Sequence, residues 1–224
     1  MIPLKDDLPT RIFPLITIGF IILNIAAFFY QISLGQASER LVMAYGAIPY
    51  SMMHPFESNL AIPTVAASIF TSMFLHGDIM HLGGNMLYLW IFGNNIEDSM
   101  GHIRFVLFYL ICGIIAVYTH SFVDVQSRVP MIGASGAVSG ILGAYLLLFP
   151  RARILTLVPL GFYITTIRMP ALILIGLWFG MQAVNAVLAE QGGGGVAWFA
   201  HVGGFLAGLV LIFFFKTPRG RRSV

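Results

Sequence analysis

Residues 133–144 read Gly-Ala-Ser-Gly-Ala-Val-Ser-Gly-Ile-Leu-Gly-Ala, an apolar run in which a small residue recurs at every fourth position from Gly136. Residues four apart lie above one another on a helix, so the run predicts a helix with one narrow face. Ala200 begins a second stripe with the same spacing. Small residues four apart allow two membrane helices to pack with their backbones in close contact. We therefore expect these two helices to form the centre of the fold, with Ser135 and His201 each one position away from a stripe.

The rest of the chain has the composition of a membrane protein. Of its 224 residues, 58% are hydrophobic and 9% are charged, and its mean hydropathy is +0.88. A soluble domain carries about 25% charged residues, so we expect an integral membrane protein. The net charge of +3 is too small to predict a nucleic-acid partner. The single cysteine, Cys112, excludes an intramolecular disulfide and a zinc site built from cysteines.

Six apolar stretches are each close to the roughly 20 residues that cross a bilayer as a helix. They cover residues 13–34, 81–96, 103–122, 131–149, 171–189 and 198–215. Two further apolar stretches, residues 60–75 and 154–167, contain proline and are predicted to be loops or half-inserted hairpins. The predicted fold is thus an all-α membrane protein, a bundle of six transmembrane helices. The first apolar run exceeds the usual length of a signal-peptide core, so we expect it to be retained.

The basic residues predict how this bundle is oriented. With six spans, ten of the twelve Lys and Arg residues fall on one side, and only Arg40 and Arg128 fall on the other. Cytoplasmic segments of membrane proteins are enriched in Lys and Arg, so both termini are predicted to be cytoplasmic. The chain then divides into a short N-terminus (1–12), a transmembrane domain (13–216) with an outer loop at about 35–80, and a basic cytoplasmic tail (217–224).

Four polar residues meet at one depth of this predicted bundle. His81 and Asn85 lie in the first turns of the second span, Ser135 lies in the first turns of the fourth, and His201 lies in the first turn of the sixth. All three spans start at the outer face, and a helix rises only about 1.5 Å per residue. Polar side chains inside a membrane are rare and often functional. Taken singly, each also has a structural explanation, such as helix packing or an interhelical hydrogen bond.

Together, the four side chains supply the parts of a serine hydrolase. A serine hydroxyl becomes a nucleophile when a neutral imidazole accepts its proton, so Ser135 is the candidate nucleophile and His201 the candidate base. The Asn85 amide, the His81 imidazole and the backbone N–H of Ser135 can donate to an oxyanion. No Asp or Glu is predicted near His201, so we expect a Ser–His dyad without an acidic third member. The sequence has no His-Glu-x-x-His motif, and His76 and His81 are five residues apart, so we expect no metal and no cofactor.

These motifs resemble those of the rhomboid intramembrane serine proteases. The resemblance covers residues 70–208 and rests on residues 76–85 (His-Gly-Asp-Ile-Met-His-Leu-Gly-Gly-Asn), on Gly93, Glu97 and Gly101, on Gly133-Ala-Ser135-Gly136, and on Ala200-His201-Val-Gly-Gly204. It implies the roles of Ser135, His201, His81 and Asn85 given above, with Gly133, Gly136 and Gly204 as structural residues near the site.

The same resemblance implies a six-helix bundle with a water-filled cavity open to the outside. The loop at 35–80 is similar to the lateral hairpin of the family, and the fifth span would be the side through which a substrate helix enters. The implied partners are single-span membrane-protein substrates and the lipid bilayer, and the implied location is the bacterial cytoplasmic membrane.

Two features of the sequence depart from the family pattern. The family often has an aromatic residue four positions after the nucleophile, but this sequence has Ser139 there, so another group must orient His201. The Trp-Arg pair often found in the outer loop of the family has no clear counterpart. The alternative function is a catalytically silent rhomboid-like protein that binds membrane helices without cutting them, although such relatives lack the serine or the histidine.

Other polar and flexible positions are predicted to have structural roles. Glu97 stands near Arg104, which predicts an ion pair or a helix-end cap. His102 and His120 are expected to be solvated in loops or interfaces. The glycine run at 192–195 is expected to be a mobile cap over the cavity, and the alternative is a plain flexible connector between two spans.

Overall fold

The computed structural model describes residues 1–161, 163–188 and 196–217, and in these ranges the chain is mostly helical. The helices are α1 (Leu15–Ser33), α2 (Ser38–Tyr45), α3 (Pro49–Met53), α4 (Ile62–Thr71), α5 (Ile79–Tyr88), α6 (Asn94–Met100), α7 (His102–Val123), α8 (Ser135–Leu148), α9 (Ala171–Leu188) and α10 (Trp198–Phe215). The strands are β1 (Ile2–Asp6), β2 (Arg153–Leu160) and β3 (Tyr163–Pro170). The glycine run at 192–195 and residues 218–224 of the predicted tail lie outside the described residues.

Four of these helices are long and apolar enough to cross a membrane, namely α1, α7, α9 and α10. Their bounds agree with four of the predicted spans to within two residues. The predicted second span is a continuous helical segment in which a π-helical turn, Leu89–Gly93, joins α5 to α6. Length and composition therefore identify four candidate spans in the described part of the chain. The total of six spans stays a prediction.

The helix α8 differs most from the predicted spans. It begins at Ser135, four residues later than predicted, and has 14 residues. At about 1.5 Å per residue it is about 21 Å long, which is shorter than a typical hydrocarbon core. Every residue from Gly136 to Tyr145 is buried. A helix that is apolar and buried on all sides belongs to the centre of a bundle, so other helices surround α8.

The helices α8 and α10 pack as the two stripes predict. A Cβ atom on Gly204 would overlap the backbone carbonyl group of Gly136, and one on Gly208 would overlap that of Gly140. Only glycine allows backbones to approach this closely. The expectation that the small residues form the contact between these two helices is confirmed, and this contact sets the separation of Ser135 and the fourth residue of α10, His201.

The all-α prediction is wrong in one respect, because the chain also forms a three-stranded antiparallel sheet with the order β1-β2-β3. Residues 154–167, predicted to be a loop or a half-inserted hairpin, form most of the β2–β3 hairpin, and Gly161 adopts a positive φ of 62° beside its turn. The third strand, β1, comes from the predicted N-terminal segment and pairs Ile2 with Leu157. Pairing between segments about 150 residues apart leaves no local sequence signal.

Buried polar contacts attach this sheet to the helices. The Asp6 carboxylate accepts hydrogen bonds from Asn95 Nδ2 at 2.6 Å and from the Tyr145 hydroxyl at 2.7 Å. Burial raises the pKa of the Asp6 carboxyl above its ordinary value. Strand β3 runs directly into α9, and Ala171 N–H donates to the Ala152 carbonyl at 2.8 Å. The start of α9 is therefore held in place by backbone hydrogen bonds.

Glu97 is a helix-end cap, but the helix that it caps is α1 and not its own. Its carboxylate accepts from Ile16 N–H at 2.9 Å, from Thr17 N–H at 2.8 Å and from the Thr17 hydroxyl at 2.7 Å. The first N–H groups of a helix lack partners within the helix, so a buried carboxylate stabilises them. Glu97 also contacts His102 Nδ1 at 2.6 Å, so His102 is paired with a carboxylate and not simply solvated.

Candidate active site

The serine and histidine that the sequence singles out are in contact. Ser135 is the first residue of α8 and His201 lies in the first turn of α10. Ser135 Oγ lies 2.8 Å from His201 Nε2, and both residues are half-buried. The close packing of α8 on α10 brings the hydroxyl and the imidazole within hydrogen-bond distance. Ser139, one turn further along α8, donates its hydroxyl to the Ser135 carbonyl at 2.6 Å and makes no hydrogen bond to the imidazole.

The second ring nitrogen of His201 contacts a residue that the sequence reasoning missed. His201 Nδ1 lies 2.7 Å from Oε1 of Gln182, which is on α9 and is 5% exposed. The rings of Trp178 and Trp198 have their centroids 6.2 Å and 6.0 Å from that of the imidazole. These side chains surround the imidazole, whereas position 139 has a serine and contributes no aromatic ring. The predicted fifth span contains two amide side chains, Gln182 and Asn185, and a polar side chain inside a membrane span was a signal that Gln182 could be functional, although it did not identify the partner.

His81 is held next to Ser135 by the start of α5. The Asp78 carboxylate caps this helix by accepting from Met80 N–H and His81 N–H, both at 2.8 Å. These backbone hydrogen bonds lower the pKa of the Asp78 carboxyl below its ordinary value. Gly77 N–H donates to His81 Nδ1 at 3.4 Å, a contact that favours the neutral tautomer with the ring proton on Nε2.

Gly133 lies between His81 and Ser135. A Cβ atom on Gly133 would be 2.7 Å from His81 Nε2 and 3.6 Å from Ser135 Oγ. Gly133 also has a φ of 119°, a conformation that residues with a side chain rarely adopt. Glycine therefore serves two purposes here, because it permits the backbone turn before α8 and leaves room for the imidazole.

Asn85 presents a donor without a partner. The residue is 7% exposed, and its Nδ2 is buried with no hydrogen-bond partner among the described residues. A buried donor that makes no hydrogen bond destabilises a protein by about 1–3 kcal/mol, so such groups are rare unless a water or ligand satisfies them. Asn85 lines the same cavity as Ser135.

One cavity of about 850 Å³ is lined by all four predicted site residues, namely His81, Asn85, Ser135 and His201. Its wall comes from α5, α7, α8, α9 and α10 and from the segment between α7 and α8. His120 also lines this cavity from α7, and its Nδ1 is buried without a partner in the described residues. His120 therefore lies in α7 and not in a loop, and its half-buried ring faces the cavity.

The spacing argument that separated His76 from His81 is also wrong. His76 precedes the first residue of α5, so helical periodicity does not apply to it. The two rings pack edge to face with their centroids 5.0 Å apart, and His76 is fully buried. Among the described residues, no three His, Cys, Asp or Glu side chains are grouped to hold a metal ion.

The chain is similar in sequence to known proteins of one family. The family model for the rhomboid domain matches residues 64–218. The chain is 34% identical to the rhomboid protease GluP of Bacillus subtilis over 199 residues, which is 88% of this chain and 35% of that protein. It is 32% identical to the mitochondrial rhomboid protein 1 of Saccharomyces cerevisiae over 66% of this chain and 41% of that protein.

A third relative is the human mitochondrial presenilin-associated rhomboid-like protein, at 30% identity over 53% of this chain and 32% of that protein. The chain spans about a third to two-fifths of the length of these relatives. The matched region, residues 64–218, contains all the residues that line the cavity around Ser135. Because the family model covers more than half of the sequence, the chain belongs to the rhomboid family, and its apolar helices are those of an integral membrane protein.

Proposed function

We propose that this protein is an intramembrane serine endopeptidase in which Ser135 is the nucleophile and His201 the general base. The observation that carries the proposal is the 2.8 Å contact between Ser135 Oγ and His201 Nε2 inside a cavity of about 850 Å³. His201 accepts the hydroxyl proton while Oγ attacks the carbonyl carbon of the scissile peptide bond. The imidazolium then gives this proton to the leaving amine, and water hydrolyses the acyl-enzyme by the same route.

In this mechanism, three groups would donate to the oxyanion of the tetrahedral intermediate. Asn85 Nδ2 lacks a partner and lines the cavity, so it can donate without breaking an existing bond. His81 Nε2 lies close to Gly133 and Ser135, and the contact at Nδ1 favours the tautomer with a proton on Nε2. The backbone N–H of Ser135 stands at the first turn of α8, where N–H groups are free of helical partners. Donors that are fixed in advance stabilise the transition state strongly.

The family membership and the charge distribution support a topology for this enzyme. The six spans would be α1, the α5–α6 segment, α7, α8, α9 and α10, with both termini in the cytoplasm and the cavity facing outward. Ten of twelve basic residues then lie on the cytoplasmic side. We propose single-span membrane proteins in the lipid bilayer as substrates and the bacterial cytoplasmic membrane as the location. The relative GluP is named as a protease in a bacterium.

A fluorophosphonate probe tests the proposal directly. The probe forms a covalent bond with an activated serine, so the purified protein in detergent should be labelled at Ser135 and Ser135→Ala should not. Ser139→Ala is the matched control, because Ser139 makes no hydrogen bond to the imidazole. A single-span model substrate in liposomes should be cleaved by the same variants that are labelled. Absence of both labelling and cleavage in the folded protein would favour the silent, helix-binding alternative.

A further inference from the structure

The imidazole of His201 has two hydrogen-bond partners in the described part of the chain, and they lie on different helices. Ser135 Oγ on α8 contacts Nε2 at 2.8 Å, and Gln182 Oε1 on α9 contacts Nδ1 at 2.7 Å. Gln182 is 5% exposed, and both contacts have the short distances of well-formed hydrogen bonds. Hydrogen bonds at both ring nitrogens therefore fix the orientation of the imidazole.

The Gln182 contact decides which ring nitrogen is free to act as a base. A neutral imidazole carries one proton, and the nitrogen without it is the acceptor. An amide oxygen can only accept, so Oε1 facing the ring requires the proton on Nδ1. Nε2 then has its lone pair directed at the Ser135 hydroxyl, which is the tautomer that a general base needs. The opposite tautomer would present an N–H group to the serine and could not accept its proton.

The aromatic neighbours of the ring cannot make this choice. The centroids of Trp178 and Trp198 are about 6 Å from the imidazole centroid, so they limit its tilt without forming a hydrogen bond to a ring nitrogen. His81 and His120 share the cavity but are not hydrogen-bonded to His201. Among the described residues, the amide of Gln182 is therefore the group that can set the tautomer.

We propose that Gln182 is a positioning residue that holds His201 in its base-competent tautomer, so that the working unit is Ser135, His201 and Gln182. This inference rests on the proposed serine-protease function. The sequence predicted a Ser135–His201 dyad without a third member, and this proposal adds Gln182 as a neutral third member. The role resembles that of the buried carboxylate in serine-protease triads, which holds the catalytic histidine in the correct tautomer, but it adds no charge to the apolar interior.

The contact also makes catalysis sensitive to the position of α9. The start of α9 is held by hydrogen bonds from Ala171 N–H to Ala152 and from Leu172 N–H to Pro150. Gln182 lies 11 residues beyond Ala171, or about 16 Å along the helix axis. A tilt of about 10° around the held end would move Gln182 by about 3 Å, which is enough to break its hydrogen bond to His201. The base is therefore correctly oriented only when α9 lies against α10.

Two substitutions with opposite expectations test the proposal. Gln182→Met keeps the length of the side chain and removes the acceptor, whereas Gln182→Glu keeps an acceptor at the same place. Because the hydrogen bond that orients the ring is lost, Gln182→Met should lower kcat and the rate of fluorophosphonate labelling by about 5- to 10-fold or more, with KM within about twofold. Gln182→Glu should retain most of the wild-type rate. Asn185→Ala, on the same helix and half-buried, is the control that should change neither rate.

The thermal midpoint separates positioning from packing. The proposal is wrong if Gln182→Met has the wild-type kcat, or if Gln182→Glu loses as much activity as Gln182→Met at an equal thermal midpoint. If the buried carboxylate prevents folding, the Gln182→Met result decides alone. Labelling of the wild-type protein distinguishes this test from the test of the function. If the wild-type protein and Gln182→Met are labelled at the same rate, only the role of Gln182 is refuted and the proposed function stands.

Discussion

The contact between α8 and α10 predicts a large effect from the addition of one methyl group. In Gly204→Ala the new Cβ atom would overlap the carbonyl group of Gly136. A carbon atom and a carbonyl oxygen need about 3.3 Å between them, so α10 must move away from α8 by about 1 Å or more. His201 precedes Gly204 by less than one turn, and the same movement would lengthen its 2.8 Å contact with Ser135 to about 4 Å.

Both stability and activity should fall as a result. Overpacking typically destabilises a protein by about 1–3 kcal/mol, so the thermal midpoint of Gly204→Ala in detergent should fall by several degrees. A displacement of about 1 Å at a reacting group can lower a rate by about 100-fold. The rate of fluorophosphonate labelling at Ser135, measured per folded molecule, should fall by at least about 10-fold.

Two further glycines serve as comparisons. Gly208→Ala produces the same collision with Gly140 one turn further from the site, so it should lower stability with a smaller effect on labelling. Gly176→Ala on α9 meets no atom within 4 Å and should leave both properties unchanged. A Gly204→Ala protein with the wild-type thermal midpoint and labelling rate would show that the α8–α10 contact does not control the site.

Other variants test individual groups. His201→Ala should abolish cleavage of a model substrate while the protein stays folded by circular dichroism, because a general base and its returned proton are lost; substantial cleavage would contradict its role. Asn85→Ala should lower kcat by about 100-fold with little change in KM, whereas a fall in thermal midpoint with normal kcat would indicate a packing role. Asp78→Ala should lower the thermal midpoint at pH 7. Because the pKa of the Asp78 carboxyl is lowered in the folded protein, its stabilising effect is present above its ordinary pKa of about 4 and is lost as the pH falls through the folded value. The difference from wild type should therefore shrink below about pH 4, and a constant difference down to pH 3 would contradict the capping role.

The region around Ser135 also shows which contacts could be predicted from the sequence and which could not. The two stripes of small residues that contain Gly136 and Gly204 predicted a close contact between their helices, and the structure contains that contact. Gln182 was not found, because an amide in the fifth span gives no sign of which helix it faces. His120 was misplaced for the same reason, whereas the contact of His76 with His81 was missed because His76 lies before the start of α5, where helical spacing does not apply. Periodicity indicates which residues share a face of one helix, but it does not indicate which neighbour that face meets.

The sequence by itself determined the class of protein, the positions of the long helices and the residues that could perform the chemistry. These features depend on local quantities, namely hydropathy over about 20 residues and the recurrence of small residues every fourth position. The tertiary structure alone decided the pairing of β1 with β2, the capping of α1 by Glu97 and the contact between Gln182 and His201. Each of these joins groups that are 19 to about 150 residues apart. Their formation depends on how the helices pack together, because a hydrogen bond needs its two partners within about 3 Å and in the correct direction.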